Sequence, residues 1–328
     1  MFRRIPTTAS SLRRVFKQVA TGEPMVDLLG YGEKDSTQQS IVTLVVIGLL
    51  SLFLFVWLDL GSLLEATSPS FESSSFPLVL VLIWRLSCFL VCLRAVVFMW
   101  QMNTGTMHVI DHENRQERLI HPLKWEKFVT FSSWTLLVTL LYFLASIIAS
   151  FSSLFELSIP SLLATLQVAL FSTAIGAAFL TSTVVRLVIL PGEVRIRRNH
   201  DHQFFFHNQI MHNFAAVFLT VEILIVQPDL HAAFSLFGLM FGVLYALFAY
   251  PYAFYWKGYY VYGFIDPRLR FAPLLQTGLA SAVSLFYIGL WLGSEVVSRN
   301  WVLGSILLLF WVSRIVQFKS SLPRELEL

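Results

Sequence analysis

The 328-residue sequence predicts an all-α, polytopic membrane helix bundle, and three observations carry that expectation. Hydrophobic residues make up 56% of the chain and charged ones 13%, more apolar surface than one soluble core of this length can hide. These residues gather into eight runs of the length that crosses about 30 Å of hydrocarbon, which takes about 20 residues of helix. Lysine and arginine concentrate in alternate connections between the runs, as the preference for basic residues in cytosolic loops requires.

Residues 1–40 form a basic leader with six Lys and Arg. Its first 22 residues carry five basic residues and no acid, with Leu12, Val15, Phe16 and Val19 at helical spacing. Such a stretch suits a cytosolic leader whose charge fixes orientation, an amphipathic helix on an anionic leaflet, or a mitochondrial transit peptide. The first run, 41–64, leads into a connection with no basic residue, and the second, 77–100, carries Arg85, Arg94 and both cysteines, Cys88 and Cys92. Two cysteines in one apolar run exclude a disulfide-stapled secreted scaffold. Segment 101–127 holds four basic residues and contains TMHVIDHENRQERLIHP (106–122), the one sizeable hydrophilic loop, read as a solvated connector.

Runs 127–150 and 160–190 are joined without a basic residue, and four follow in 186–198. Runs 204–226 and 232–252 repeat the pattern, with none at 227–231 and three in 253–270. After 271–293 the connection holds only Arg299, and the last run, 301–318, is the shortest; without it the bundle has seven spans. The alternation puts both termini in the cytosol, in an endomembrane or the plasma membrane. The lipid bilayer is the expected partner. A net charge of +3 gives no reason to expect nucleic acid, and no internal repeat is present.

Ionisable groups inside apolar helices cost about 2.5–3.5 kcal/mol each for Asp, Lys or Arg at mid-span, so they face the bundle interior and mark candidate sites. Asp59, Arg94 and Glu295 lie near helix ends, where hydration or snorkelling accounts for them. Arg85 and Glu222 lie deeper and read as a mutual ion pair or a functional pair. His212 is deeper still, with Asn208 one turn earlier on the same face. A buried histidine here bonds to a neighbouring helix, or serves as a general base, metal ligand or proton relay. Metal ligation is disfavoured: His200, His202, His207 and His212 lack the HExxH spacing, and regular helix geometry turns His207 away from the His212 face. No metal and no cofactor is expected. A relay would need a chain of carboxylates, which the spans lack.

A base requires a hydroxyl or a water to activate. No GxSxG elbow occurs. In WEKFVTFSSWTLLVTLLYF (125–143), Ser132, Thr135 and Thr139 share one helix face and Thr130 lies on another, so only one set meets His212. Such hydroxyls also commonly bond to their own helix carbonyls.

Three segments resemble the androgen-induced protein family of membrane lipid hydrolases, with its plant and protist relatives. WEKFVTF and FSSWTLLVTLLYF (125–143) resemble the family's Thr-bearing helix, NQIMHNFAAVFLTVEILI (208–225) its His-bearing helix, and GYYVYGFID (258–266) the loop after the next helix. The resemblance implies a six-helix core over 77–297, with 41–76 and 298–328 as additions. It also implies a threonine-type hydrolase of lipid esters, which in characterised animal members are fatty acid esters of hydroxy fatty acids. The base carries over to His212. Matching Lys-Phe-x-Thr-Phe gives Thr130 as nucleophile, whereas the downstream Trp-Thr and Tyr-Phe spacing gives Ser132. Asn208 is a candidate oxyanion donor, Thr135 and Thr139 continue the polar stripe towards substrate, and Glu222 is structural or gates substrate. Two other functions fit the composition: a small-molecule transporter with Arg85, Glu222 and His212 along one wet channel, and a catalytically silent membrane interaction protein.

Overall fold

A computed structural model describes residues 30–32, 35–74, 76–196 and 198–320, and the first 22 residues of the leader expected over 1–40 lie outside them. The chain folds as an all-α polytopic bundle with seven helices long and apolar enough to cross a membrane. These are α1 (Thr37–Trp57), α3 (Leu78–Gln101), α4 (Phe131–Leu154), α5 (Ser161–Arg195), α6 (Phe206–Val226), α7 (Ala232–Lys257) and α8 (Ala272–Arg299). A short helix, α2 (Leu60–Thr67), follows α1, and α9 (Trp301–Ile315) closes the order. At 15 residues, α9 measures about 22 Å, less than a full hydrocarbon thickness.

The expected first run breaks in two. Asp59 adopts the left-handed conformation (φ 46°), which Asp tolerates better than most residues, and α2 turns back over that end of the bundle to bury Leu64. All other connections at this end are short. Trp301 is separated from α8 by Asn300 alone, whose side chain caps α9 by accepting from the Leu303 amide at 3.0 Å. That hairpin closes tightly because a Cβ on Gly304 would lie 2.5 Å from the Val297 backbone.

The opposite end is basic and built up. Segment 106–122 is a β-hairpin here rather than a bare connector: β1 (Met107–Asp111) pairs antiparallel with β2 (Glu117–Ile120). The Asp111 carboxylate organises the turn by accepting the Glu113 amide at 3.0 Å, a local bond that favours Asp at this position. β3 (Tyr259–Tyr260) adds on the other edge to give the order β2-β1-β3. Residues 30–32 pair with the 268–270 segment, and Ser320 meets His200, so the described chain begins and ends on this same basic face.

Burial is uneven among the spans. The most apolar, α1, is 17% buried, while α5 and α6 reach 72%, so α1 faces lipid and the central helices carry the polar groups. Close approach depends on small residues, as expected where lipid removes any hydrophobic advantage of helix contact. Gly238 and Gly242 of α7 face α8, and a Cβ on Gly242 would stand 2.9 Å from the Ala280 carbonyl.

Three turns of π-helix interrupt the spans, at Val185–Ile189, Ile210–Phe214 and Tyr252–Lys257. Pro191 follows the first closely and Pro251 immediately precedes the third, where a missing N–H and the ring disturb the regular ladder.

Candidate active site

Two cavities meet inside the basic half of the bundle. One, about 600 Å³, is a polar vestibule beneath the β-hairpin, bounded by Thr130, Ser132, Lys127, His202, His207 and Asn208 among others. The second, about 100 Å³, is an apolar pocket between α4, α5, α7 and α8, walled by Leu180, Val184, Ala246, Leu279 and Ala280. Ser132, Ile189, His212, Tyr262 and Phe264 border both spaces. The two polar side chains from the spans, Ser132 on α4 and His212 on α6, thus stand where polar space gives way to apolar space.

The N-terminus of α4 sets the hydroxyls. Thr130 is its N-cap: its Oγ1 accepts the Ser133 amide at 3.1 Å and the Ser132 hydroxyl at 3.3 Å, and it donates to Ser133 Oγ at 3.0 Å. That saturates Thr130. Ser132 Oγ gives its proton to Thr130 and borders both cavities. Tyr262, on the loop after α7, places its phenol beside the Ser132 and Thr130 hydroxyls and the first two amides of α4. Burial raises its pKa, so it keeps its proton and can donate it. Sequence reasoning assigned Tyr262 no role, although it lies within the quoted GYYVYGFID segment.

His212 is buried and its Nδ1 has no hydrogen-bond partner among the described residues. The π-turn explains its setting. Over five residues of regular α-helix the direction changes by about 140°, which would separate His207 from His212. The extra residue at Ile210–Phe214 brings both to the vestibule wall, correcting the expectation from regular spacing. Among the described residues no group of His, Cys, Asp and Glu has metal-binding geometry.

The turn itself is held from the segment just after α9. Asn213 Nδ2 donates to the Gln317 carbonyl at 2.8 Å and the Gln317 amide donates back to Asn213 Oδ1 at 2.9 Å. Arg186, in the π-turn of α5, donates to the Ser313 carbonyl at 3.0 Å and also to Val316. One C-terminal segment therefore ties down both π-turns that border the cavities.

The remaining sequence candidates separate from this junction. Asn208 lines the vestibule, but its amide donates to the His202 carbonyl at 2.6 Å. Thr135 donates to the Phe131 carbonyl at 3.1 Å and Thr139 to the Thr135 carbonyl at 2.8 Å, and neither borders a cavity described above. Glu222 sits in a closed network, accepting from Arg85 Nε at 2.7 Å, Tyr142 at 2.8 Å and Trp84 at 3.0 Å. Glu72 completes it by pairing with Arg85 at 2.8 Å. Arg85 and Glu222 are both 0% exposed and line neither cavity, so no wet channel joins them to His212 among the described residues. Compared with models of known protein families, with curated proteins and with solved structures, the chain matches none.

Proposed function

We propose that the protein is an integral membrane hydrolase of lipid esters, with Ser132 as nucleophile and His212 as general base. The observation that carries this reading is the position of those two residues, from different helices, at the junction of a polar vestibule and an apolar pocket. An ester is the part of a lipid where head and chain meet, and it would come to rest at that junction with its acyl chain in the apolar space.

In the proposed reaction the Ser132 hydroxyl turns from Thr130 to His212 and gives up its proton as its oxygen attacks the ester carbonyl. The tetrahedral oxyanion forms at the N-terminus of α4, where the helix dipole favours negative charge and the Tyr262 phenol, beside the first two amides, supplies a donor. The imidazolium protonates the leaving alkoxide, and the acyl group stays on Ser132. Water from the vestibule, deprotonated by His212, then releases the fatty acid and restores the serine. Thr130 acts as a positioning residue, holding Ser132 by the bond at 3.3 Å.

Labelling of the purified protein by a fluorophosphonate probe tests this. Ser132→Ala and His212→Ala are expected to abolish labelling, whereas Thr130→Val, which keeps the shape but loses the cap, reduces it. Persistent labelling of Ser132→Ala with loss in Thr130→Val moves the nucleophile to Thr130; no labelling and no ester hydrolysis by folded protein removes the enzyme reading.

A further inference from the structure

The vestibule carries a buried cation that the reaction above does not use. Lys127 lies on the turn just before the Thr130 cap and is 7% exposed. Its ammonium donates to the Met99 carbonyl at 3.0 Å and to the Met102 carbonyl, the last acceptors of α3. Two of its three donors are thereby spent on a helix C-terminus, where a cation suits the dipole. No carboxylate pairs with it among the described residues, although two line the same space. Glu117 is held by Arg198 at 2.5 Å and His108 at 2.8 Å, and Glu193 faces His202 at 3.6 Å and the Gln203 amide at 3.3 Å. A buried charge is normally compensated by a counter-charge. The Nδ1 atoms of His207 and His212, which line the same vestibule, have no hydrogen-bond partner among the described residues either.

We infer that Lys127 is the recognition residue for an anionic lipid head, a carboxylate or a phosphate, seated in the vestibule while the chain runs past Ser132 into the apolar pocket. The inference rests on the hydrolase reading for its orientation of the lipid, but the charge it assigns to the ligand is separable from any chemistry. A neutral head can accept the third ammonium proton but leaves the buried charge uncompensated. An anion accepts that proton and neutralises the lysine.

The test compares three ligands with one chain and no scissile ester: oleate, oleyl phosphate and oleyl alcohol, with dissociation constants measured on the full chain in detergent micelles. Wild type is expected to bind at least one anion roughly tenfold to a hundredfold tighter than the alcohol, the range of a charge-assisted hydrogen bond. Lys127→Met brings that anion to parity with the alcohol, and Lys127→Arg retains the preference. A purely capping lysine would instead weaken all three ligands alike. Loss confined to oleate assigns a carboxylate head and loss confined to oleyl phosphate a phosphate. Equal binding of all three by wild type, or a preference that survives Lys127→Met, overturns the inference. Because none of these ligands is turned over, a protein that discriminates heads yet takes no fluorophosphonate loses the hydrolase reading and keeps the anion site.

Discussion

The Arg85–Glu222 network separates a structural role from a substrate role by the order in which its variants lose stability. Glu222→Ala strands two buried donors, Arg85 Nε and Tyr142 Oη, and the half-buried Trp84 Nε1, but leaves Arg85 with Glu72. Arg85→Met strands charge itself, because Glu222 is 0% exposed and loses its only cationic partner among the described residues. Breaking a buried pair from one side costs about 3–5 kcal/mol, so Glu222→Ala belongs near the lower figure and Arg85→Met near the upper. The Arg85→Met, Glu222→Leu double variant, which removes both charges, is expected to be more stable than Arg85→Met alone. Thermal unfolding followed with a thiol-reactive dye reads this directly, since the chain's two cysteines are both buried and become reactive only on opening. Fluorophosphonate labelling per folded molecule is expected to stay at the wild-type level in Glu222→Ala. A wild-type melting curve for Glu222→Ala, or Arg85→Met no worse than Glu222→Ala, refutes the reasoning; selective loss of labelling returns Glu222 to the site.

Other consequences follow from the same geometry. Tyr262→Phe removes a donor from the proposed oxyanion position and is expected to lower kcat for ester hydrolysis by roughly 10²-fold with little change in KM, read by steady-state kinetics. Gly242→Val pushes a side chain against the Ala280 backbone, where even a Cβ would sit 2.8 Å from its Cα, and is expected to lower the melting temperature by separating α7 from α8. Asn213→Ala loses both bonds to Gln317, frees the π-turn, and is expected to reduce labelling of Ser132 while the melting temperature changes little. Burial lowers the pKa of Lys127. Its charged form exists below that pKa, so preference for an anion over oleyl alcohol is present at neutral pH and fades on alkalinisation, before the ordinary lysine value of about 10.4 is reached. Titration of binding against pH checks it.

Much of this bundle was legible because a bilayer imposes a length. Seven of the eight apolar runs became spans, six of them close to their expected bounds and the first cut short at Asp59, while the eighth is the short α9; the Arg85–Glu222 pair followed from the cost of burying either charge alone. The hairpin at 106–122 escaped notice because its polarity resembles that of any solvated loop, and its third strand comes from residues 259–260, far away in sequence. Lys127 escaped for a related reason: at the border of a run it reads as an orientation signal, and only folding shows it facing a cavity with no acid paired to it among the described residues.

The π-turns mark the deeper limit. Helical periodicity assumes a fixed rotation per residue, and a single extra residue resets every face after it. The turn at Ile210–Phe214 has no proline to announce it, and its support comes from Gln317, beyond the end of another helix. A π-turn leaves its local ladder irregular, so it persists only where neighbouring groups hold it. Asn213 and Arg186 show where that hold lies: both reach the same C-terminal segment, 313–317. Segment 298–328 reads from sequence as an addition to a six-helix core, yet in the folded chain its described part fixes the turn that carries His212. The position of the proposed base is therefore a property of the segment that follows α9 as much as of the helix on which the histidine lies.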